Sequence, residues 1–492
     1  MARASSTISP VIAVDRKSDS PLYRQVYDSF RTAIVEGRLR TGQRVPSTRA
    51  LAVELGISRI PLLNAYAQLL AEGYFESRVG AGTVVSRSLP DEIIPSPPRG
   101  RRQTTVSRGP RPLSLRSAET PLVEDGPWRR AWGAFGVSQV AFEQFPFPVW
   151  NSLVHRHCRN LKAKSLDYGH PLGSKDLREA IAIYLGTARA VRCNASQIMI
   201  VSGSQHALEI TARVLLDPGN RVWMEEPGYS YARRVFNGSG CDVVPVPVDG
   251  EGLDVAAGIK LCAKARLAMV SPSHQYPLGV TMSASRRLQL LEWAERSGSW
   301  IIEDDYDSEY RYESMPIASL QGLDTNARVI YIGTFSKVLF PSLRLGYLVI
   351  PSDLVPRFVA ARLAFDITPA GFFQAVLADF IREGHFSRHI RRMRSLYNER
   401  RTALIRAIGN QLGPSAEISG EQAGMHLTLT IPGVSDRAAA RRAETKNLWV
   451  LPLSSCYLGK PVRQGFVLGF GSTAVSDIPS AVKKLRDAIE EK

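Results

Sequence analysis

The sequence predicts a small winged helix-turn-helix domain followed by a large α/β domain. Three observations lead to this fold class. Residues 15–86 show helical spacing of apolar residues and end in two short strand-like segments. Residues 113–492 alternate short apolar segments with amphipathic helices, which is typical of a largely parallel sheet. Residues 87–112 between them are rich in proline and arginine and lack apolar periodicity, so we expect a linker there.

Composition excludes several classes of protein. The 492 residues are 44% hydrophobic and 22% charged, which is typical of a globular chain and excludes wholesale disorder or a collagen-like or coiled-coil fold. No apolar stretch is long enough for a membrane span, and the N-terminus lacks the apolar core of a signal peptide. Five scattered cysteines without a CxxC pair fit reduced thiols, so we expect a cytoplasmic protein. The histidines show no HExxH motif, and no metal site is predicted.

The net charge of +16 is concentrated near the N-terminus. Residues 1–116 hold 18 Lys+Arg and 9 Asp+Glu, a net +9, whereas the remaining residues have a net +7. A basic N-terminal quarter favours a polyanionic partner, with nucleic acid first and an anionic membrane surface second. Charge alone leaves a merely solvated basic surface equally open.

The basic region contains the elements of a helix-turn-helix. Apolar spacing predicts a first helix that begins at Pro21 and ends at Gly37, and a short second helix that Ser47 or Thr48 caps. The segment ISRIPLLNAYAQLLAEG predicts a third helix with Ser58 as its N-cap. The segment YFESRVGAGTVVS then predicts a β-hairpin or wing.

In this arrangement the third helix would lie in the major groove of DNA. Arg59 and Asn64 are the candidates for contacts with base edges. The candidate phosphate contacts are Ser47, Thr48, Arg49 and Ser58, with Gly80 and Gly82 allowing the wing backbone to approach a phosphate. The alternative is a small helical bundle used for protein contacts.

The run from PLYRQV to AGTVV resembles the GntR-type DNA-binding domain, including its VPSTRALA and SRIPLLNAYAQLLAEG elements. The resemblance implies binding to a double-stranded DNA operator. Ile60 is a departure, because a hydroxyl residue is common at that position, and the change would remove one phosphate contact.

The large domain is predicted to place its functional residues just after its strands. The strand-like segments are QIMIVSG, RVWMEE, CDVVPVPV, LAMVSPS, SWIIEDD, VIYIGTFS and LRLGYLVI. Gly203 begins a helix whose N-terminal N–H groups suit an anion. Strand alternation puts Asp304 and Tyr306 on one side, where they could bind a protonated ring nitrogen and a hydroxyl. An acidic loop edge is the alternative.

Lys337 follows another strand in a setting of small hydroxyl residues, with Arg344 seven residues on. A desolvated lysine near a second cation has a lowered pKa and can form a Schiff base. Arg344, Thr334 and Ser336 supply donors for a phosphate. A lysine imine, an acid for a ring nitrogen and a phosphate cradle together describe a pyridoxal phosphate (PLP) site.

These segments resemble fold-type-I, aspartate-aminotransferase-like PLP enzymes, which have a mixed, mostly parallel sheet and a smaller C-terminal α/β subdomain. By resemblance, Lys337 forms the internal aldimine, Asp304 pairs with the ring nitrogen and Tyr306 contacts the ring hydroxyl. The resemblance also implies cofactor-binding roles for Ser204, Gln205, Thr334, Ser336 and Arg344 at the phosphate, for Tyr229 stacked on the ring, and for Tyr168 from the other subunit of a homodimer.

The chain departs from the aminotransferase pattern at two places. Tyr276 stands where these enzymes usually carry an Asn that bonds the ring hydroxyl, and either His274 or Gln275 is the candidate to compensate. The strand-like GFVLGFGS lacks the usual arginine for a substrate carboxylate, which leaves Arg463 just upstream as the candidate.

The combination resembles the MocR/GabR family of PLP-dependent transcription regulators and implies a domain-swapped homodimer. We expect an amine, an amino acid or PLP to be sensed through an aldimine at Lys337 and to alter operator binding. Whether the chain also works as an enzyme is open. The alternatives are an active aminotransferase with a DNA-binding appendage and, third, a membrane-surface or scaffold protein.

Overall fold

The computed structural model describes residues 12, 14–78, 82–87, 112–114, 133–312 and 317–491. The chain divides into two compact units, Met1–Arg111 and Pro112–Lys492. The predicted linker 87–112 lies mostly outside the described residues. None of the described helices is long and apolar enough to cross a membrane.

The first unit has the predicted order of elements. It consists of α1 (Leu22–Val35), α2 (Thr48–Leu55), α3 (Arg59–Ala71), β1 (Phe75–Arg78) and β2 (Gly82–Val85). The strands β1 and β2 form the antiparallel wing. Phe30, Tyr66 and Phe75 pack edge to face, with ring centroids 5.2–5.4 Å apart, and join α1, α3 and the wing into one core.

Local sequence sets the helix ends of this unit. The Ser47 hydroxyl accepts a hydrogen bond from Ala50 N at 3.1 Å, which decides the predicted choice of cap in favour of Ser47. Gly56 ends α2 in the left-handed conformation, with φ +62°. Ser58 holds the predicted N-cap position of α3, but its hydroxyl makes no capping hydrogen bond.

The second unit is built on an eight-stranded sheet with the order β3-β10-β9-β8-β7-β4-β5-β6. Strands β4, β5, β7, β8 and β9 are parallel, and β10 is antiparallel to both of its neighbours. All seven strand-like segments named from the sequence are strands of this sheet. Its members are β3 (Ile198–Val201), β4 (Arg221–Glu226), β5 (Asp242–Asp249), β6 (Gly252–Leu253), β7 (Leu267–Val270), β8 (Trp300–Asp305), β9 (Val329–Thr334) and β10 (Gly346–Val349).

A smaller antiparallel sheet, with the order β11-β12-β14-β13, forms the C-terminal part. Its strands are β11 (Glu417–Ser419), β12 (His426–Thr430), β13 (Leu451–Pro452) and β14 (Gly465–Gly469). The helices of the second unit are α4 (Phe147–Arg159), α5 (Lys175–Arg189), α6 (Ser204–Leu215), α7 (Ser230–Gly238), α8 (Val255–Cys262), α9 (Ala284–Ser297), α10 (Leu320–Leu323), α11 (Val355–Leu363), α12 (Phe372–Arg382), α13 (His385–Leu412), α14 (Asp436–Thr445) and α15 (Ile478–Glu490).

Candidate cofactor and DNA-binding sites

The candidate cofactor site lies where the parallel strands of the large sheet end. Tyr229 follows β4, the loop 271–279 follows β7, Asp304 is near the end of β8, and Lys337 follows β9. These strands are neighbours in the sheet, so their carboxyl ends bring together residues that are more than 100 positions apart in the chain.

Burial shifts the protonation of Lys337 towards the neutral amine. Desolvation lowers the pKa of Lys337 from 10.5 to about 8, while the carboxyl groups of Asp307 and Asp304 act in the opposite direction. The sequence analysis named desolvation and a second cation as causes, and desolvation is the one that acts here. The nearby charged groups are carboxylates, and the loss of water contact is what favours a nucleophilic amine.

Asp304 is a buried carboxyl group with an unsatisfied oxygen atom. Its side chain is 6% exposed, and Oδ1 has no hydrogen-bond partner among the described residues. Burial, followed by the charges of Asp305 and Asp307, raises the pKa of Asp304 to about 7. A protonated ring nitrogen would satisfy the orphaned oxygen and stabilise the carboxylate.

The acidic neighbours of Asp304 have structural partners on the other face of β8. Asp305 accepts a hydrogen bond from Arg189 Nε at 2.8 Å, and Glu303 accepts backbone N–H groups of Leu320 and Gln321 at 2.9 and 2.8 Å. Strand alternation separates these residues from Asp304, as the sequence predicted. Asp305 Oδ1 also lacks a partner, but Asp304 is the carboxyl group of this segment for which the described residues provide no hydrogen bond at either oxygen.

Three tyrosines surround the same place. The rings of Tyr229 and Tyr276 lie edge to face with centroids 5.9 Å apart, and those of Tyr276 and Tyr306 do so at 6.4 Å. Gln205 Nε2 donates to the Tyr229 hydroxyl at 3.3 Å, so Gln205 contacts the aromatic residue that was expected to stack on a ring. The Tyr306 hydroxyl donates to the backbone oxygen of His274 at 2.9 Å.

An anion cradle is formed where α6 begins. Gly203 has φ +94°, and a Cβ there would stand 3.4 Å from the Arg344 guanidinium. The N–H groups at the start of α6, which begins at Ser204, therefore lie close to an exposed cation. Thr334 Oγ1 accepts a hydrogen bond from Ser336 N at 3.2 Å, which holds the turn that leads to Lys337.

Other sequence candidates are not brought together with this cluster. Tyr168 is 78% exposed on a loop. Arg463 is exposed beside Tyr457, and the strand β14 that follows it places buried Val467 against Leu278 and Leu453. An arginine for a ligand carboxylate is thus not assigned among the described residues.

Sequence reasoning missed a buried polar cluster, formed by His274, Asp307 and His426. One side-chain nitrogen or oxygen atom from each of the three lies within 4.8 Å of the other two. Asp307 and His426 stand 119 positions apart, so no spacing motif connects them. The signal that could have found part of the cluster is the HQY sequence in the loop after β7. Of its two candidates to compensate for Tyr276, Gln275 donates to Pro227 O at 2.9 Å, whereas the His274 ring lies beside Tyr306.

In the first unit, the predicted DNA-contacting side chains lie on the surface of α2 and α3. Arg59 Nε donates to Thr48 Oγ1 at 3.1 Å, so the two predicted contacts on different helices adjoin. Ser47, Arg49, Ser58 and Asn64 are exposed. Gly82, with φ +82°, lies against the Arg44 side chain, which is 3.1 Å from the place a Cβ would take. Gly80 lies outside the described residues.

One face of α3 is exposed and largely apolar. Ile60 is 68% exposed and Leu63 44% exposed, and both lie on the face that carries Asn64. Residues on the opposite side, among them Leu62 and Leu69, are fully buried in the core. The exposed face is therefore available to a partner.

The comparisons with known proteins agree with this division. Residues 22–85 match the family of bacterial regulatory proteins of the gntR type, and residues 134–467 match the aminotransferase class I and II family. The chain is 38% identical to the probable rhizopine catabolism regulatory protein MocR of Rhizobium meliloti, over 97% of this chain and 96% of that protein. The chain belongs to the MocR-type family of GntR transcriptional regulators.

Two further relatives support the assignment. The HTH-type transcriptional regulator TauR of Rhodobacter capsulatus is 34% identical, over 93% of this chain and 94% of its own length. The kynurenine aminotransferase of Pyrococcus horikoshii, solved in a complex with PMP, matches with a TM-score of 0.71 and 28% identity, over 77% of this chain and 97% of that chain. The regulator therefore joins a GntR domain to a fold-type-I aminotransferase domain.

PLP is the cofactor of this aminotransferase fold, and the residues of the regulator fit it. A buried lysine with a lowered pKa, a carboxyl oxygen without a partner, and a helix N-terminus beside an arginine are present together. They match the aldehyde, the ring nitrogen and the phosphate of PLP, respectively.

Proposed function

We propose that the regulator senses an amine, an amino acid or PLP itself at Lys337 and changes its affinity for a DNA operator in response. The observation that carries this proposal is the presence of the buried Lys337 amine near the orphaned carboxyl of Asp304, in a chain that also contains a GntR domain. PLP supplies an aldehyde that lysine and free amines can exchange. A metabolite with an amino group is therefore the class of effector that the site suits.

The proposal gives each residue of the site a task. Lys337 holds the cofactor covalently, Asp304 pairs with its ring nitrogen, and Tyr229 packs against its ring. Tyr306 and Tyr276 lie on the side of the ring hydroxyl. Ser204, Gln205, Thr334, Ser336 and Arg344 surround the phosphate, and the contact of Gln205 with Tyr229 links the phosphate and ring positions.

For DNA, we propose that the exposed face of α3 reads bases in the major groove. Arg59 suits guanine and Asn64 suits adenine, whereas Ile60 and Leu63 suit the methyl group of thymine. The candidates for phosphate contacts are Ser47, Thr48, Arg49 and Ser58, together with the wing at Gly80 and Gly82. Support comes from the exposure of this face and from the basic charge of residues 1–116.

We further propose that the regulator acts in the cytoplasm as a homodimer, in which Tyr168 reaches the phosphate of the partner subunit's cofactor. The exposure of Tyr168 in the single chain supports this role. The domain-swapped arrangement belongs to the same proposal. Light scattering of the full chain would measure the mass, and a monomer at micromolar concentration would overturn it.

One experiment tests the sensing function directly. The full-length protein is loaded with PLP and titrated with candidate amines and amino acids, with its visible absorbance followed beside a gel shift on DNA from its own upstream region. We expect one compound to change both the absorbance and the DNA affinity, because an effector must bind one conformation better than the other. DNA affinity that no compound and no PLP addition changes would contradict the proposal.

The second candidate function is transamination, favoured by the presence of Lys337 and Asp304 at the strand ends. Sustained conversion of an amino acid and a 2-oxo acid by the full-length protein would support it. A change in DNA affinity without turnover would leave sensing as the function.

A further inference from the structure

The buried cluster of His274, Asp307 and His426 adjoins Tyr306, whose hydroxyl lies 3.2 Å from His274 Nδ1. His274 comes from the loop after β7, Asp307 from the turn after β8, and His426 from β12 of the smaller sheet. Their side chains are 1%, 2% and 3% exposed. Charged or strongly polar groups at this depth persist only when partners satisfy them.

Both ring nitrogens of His274 face oxygen acceptors. Nδ1 is 3.2 Å from each carboxylate oxygen of Asp307, and Nε2 is 3.4 Å from the backbone oxygen of Gly420. A neutral imidazole has only one N–H and would leave one of these oxygens opposite a lone pair. The doubly protonated imidazolium satisfies both contacts.

The ring of His426 differs from that of His274 in its protonation state. Its Nε2 donates to Pro277 O at 3.1 Å, and its ring centroid lies 4.8 Å from that of His274. Burial, followed by the neighbouring His274, lowers the pKa of His426 to about 3, so this ring is neutral at pH 7. His426 therefore adds no charge to the cluster.

Asp307 is held from the side of the smaller sheet. Its Oδ2 accepts a hydrogen bond from the backbone N of Met425 at 3.2 Å. A Cβ on Gly424 would stand 2.1 Å from His274 Cε1 and 2.5 Å from Asp307 Oδ2, and Gly424 has φ +73°. Only glycine fits beside this pair, so the backbone around it is shaped to keep the two side chains together.

Tyr306 is the group that the pair positions. Its hydroxyl donates to the backbone oxygen of His274 at 2.9 Å and lies 3.2 Å from His274 Nδ1. Asp307 also interacts electrostatically with the amine of Lys337. The cluster thus contacts Tyr306, which lies on the side of the ring hydroxyl in the proposed function, and acts electrostatically on Lys337.

We propose that His274 and Asp307 form a buried ion pair that positions Tyr306 and sets the charge beside Lys337, in the place where Tyr276 has replaced the usual amide. This inference rests on the proposed function. His274 and Asp307 are positioning residues, since they act through Tyr306 and Lys337. The Asp307 carboxylate favours a proton on the Lys337 nitrogen, and the imidazolium paired with Asp307 offsets that effect.

The other charged groups around the pair are few. Asp304 and Asp307 are the carboxylates that act on Lys337. Around His274 stand Asp307, Tyr306 and the neutral His426, while the Arg311 guanidinium acts on Asp307 and Glu225 acts on Asp304 from further away. Removal of one member of the ion pair therefore leaves the other as the main changed charge near Lys337.

The test uses the full-length protein loaded with PLP and measures the pH midpoint at which its visible absorption band changes. We expect His274→Gln to raise the midpoint by about one unit, because the Asp307 carboxylate then acts on Lys337 alone. Asp307→Asn should lower the midpoint. The matched control is His157→Gln, which breaks another histidine–aspartate contact, with Nε2 2.9 Å from Asp379, and should leave the midpoint unchanged. Shifts in the same direction, or no shift beyond that control, would overturn the inference.

A second measurement does not depend on the cofactor. Histidine-selective ¹⁵N NMR of the full-length protein without PLP, assigned with His274→Gln, should show both ring nitrogens of His274 protonated at pH 7.5 and a neutral ring in Asp307→Asn. A neutral His274 in the unsubstituted protein would refute the ion pair. If PLP produces no visible band at all, the proposed function fails, while the NMR result still decides the inference.

Discussion

The two units of the regulator hold their candidate functional residues in opposite environments. In the first unit, Arg59, Ile60 and Asn64 project from one helix into solvent. In the second unit, Asp304, His274 and Asp307 are at most 6% exposed and come from the ends of two strands, β7 and β8. The comparison teaches that the DNA-binding surface depends on local sequence, whereas the ligand site depends on long-range packing that removes charged groups from water.

The largest expected effect concerns the cofactor site of the second unit. Lys337→Ala should abolish the visible band that PLP produces, because no other amine occupies this position, and Lys175→Ala on the surface should leave it intact. In the unsubstituted protein, the rate at which the band appears should rise between about pH 7 and 9, since a pKa of about 8 makes the neutral amine available there. A Lys337→Ala protein with an unchanged spectrum would reject the site.

Asp304→Asn should have opposite effects on the free and the PLP-bound protein. The folded pKa of about 7 lies above the ordinary 3.8, so the buried carboxyl destabilises the free fold increasingly as pH rises from about 4 to 7. The variant should therefore melt higher than the unsubstituted protein at pH 8 and similarly at pH 4.

The same substitution should weaken PLP binding by roughly 1.5–3 kcal/mol, the range for a hydrogen bond to a charged group. Thermal melts with and without PLP measure both effects. An Asp304→Asn protein that PLP stabilises as much as the unsubstituted protein would show that Asp304 does not pair with the cofactor.

In the first unit, Arg59→Ala should weaken operator binding by about 1–3 kcal/mol, because a good base contact is lost. Arg24→Ala removes the same charge from α1, where Arg24 pairs with Asp28, and serves as the control. A gel shift at fixed salt measures both. Equal losses in the two variants would mean that charge alone, and not base reading, is at work.

The smallest expected effect concerns helix capping. Ser47→Ala should destabilise α2 by about 1 kcal/mol, since the Ser47 hydroxyl caps Ala50 N. Ser58→Ala is the matched control, because Ser58 holds a cap position without a capping bond. Amide hydrogen exchange of residues 48–55 and 59–71 in the full-length protein would compare them. Equal changes would remove the distinction between the two caps.

The sequence by itself determined the order of elements and most of the chemistry. Apolar spacing and the caps at Ser47 and Gly56 specify the winged helix, because helix starts and stops depend on neighbouring residues. The seven apolar segments specify the strands of the large sheet, and the rule that ligands sit at strand ends drew attention to Asp304 and Lys337.

Only the tertiary structure decided how these groups are charged and partnered. It showed that Lys337 is buried deeply enough for desolvation to lower its pKa, and that Gln275 turns to the backbone while His274 adjoins Tyr306. It also brought His426 to a pair that lies more than 100 positions earlier in the chain. Desolvation and contacts between distant segments arise only when the sheets pack, so no local pattern in the sequence encodes them.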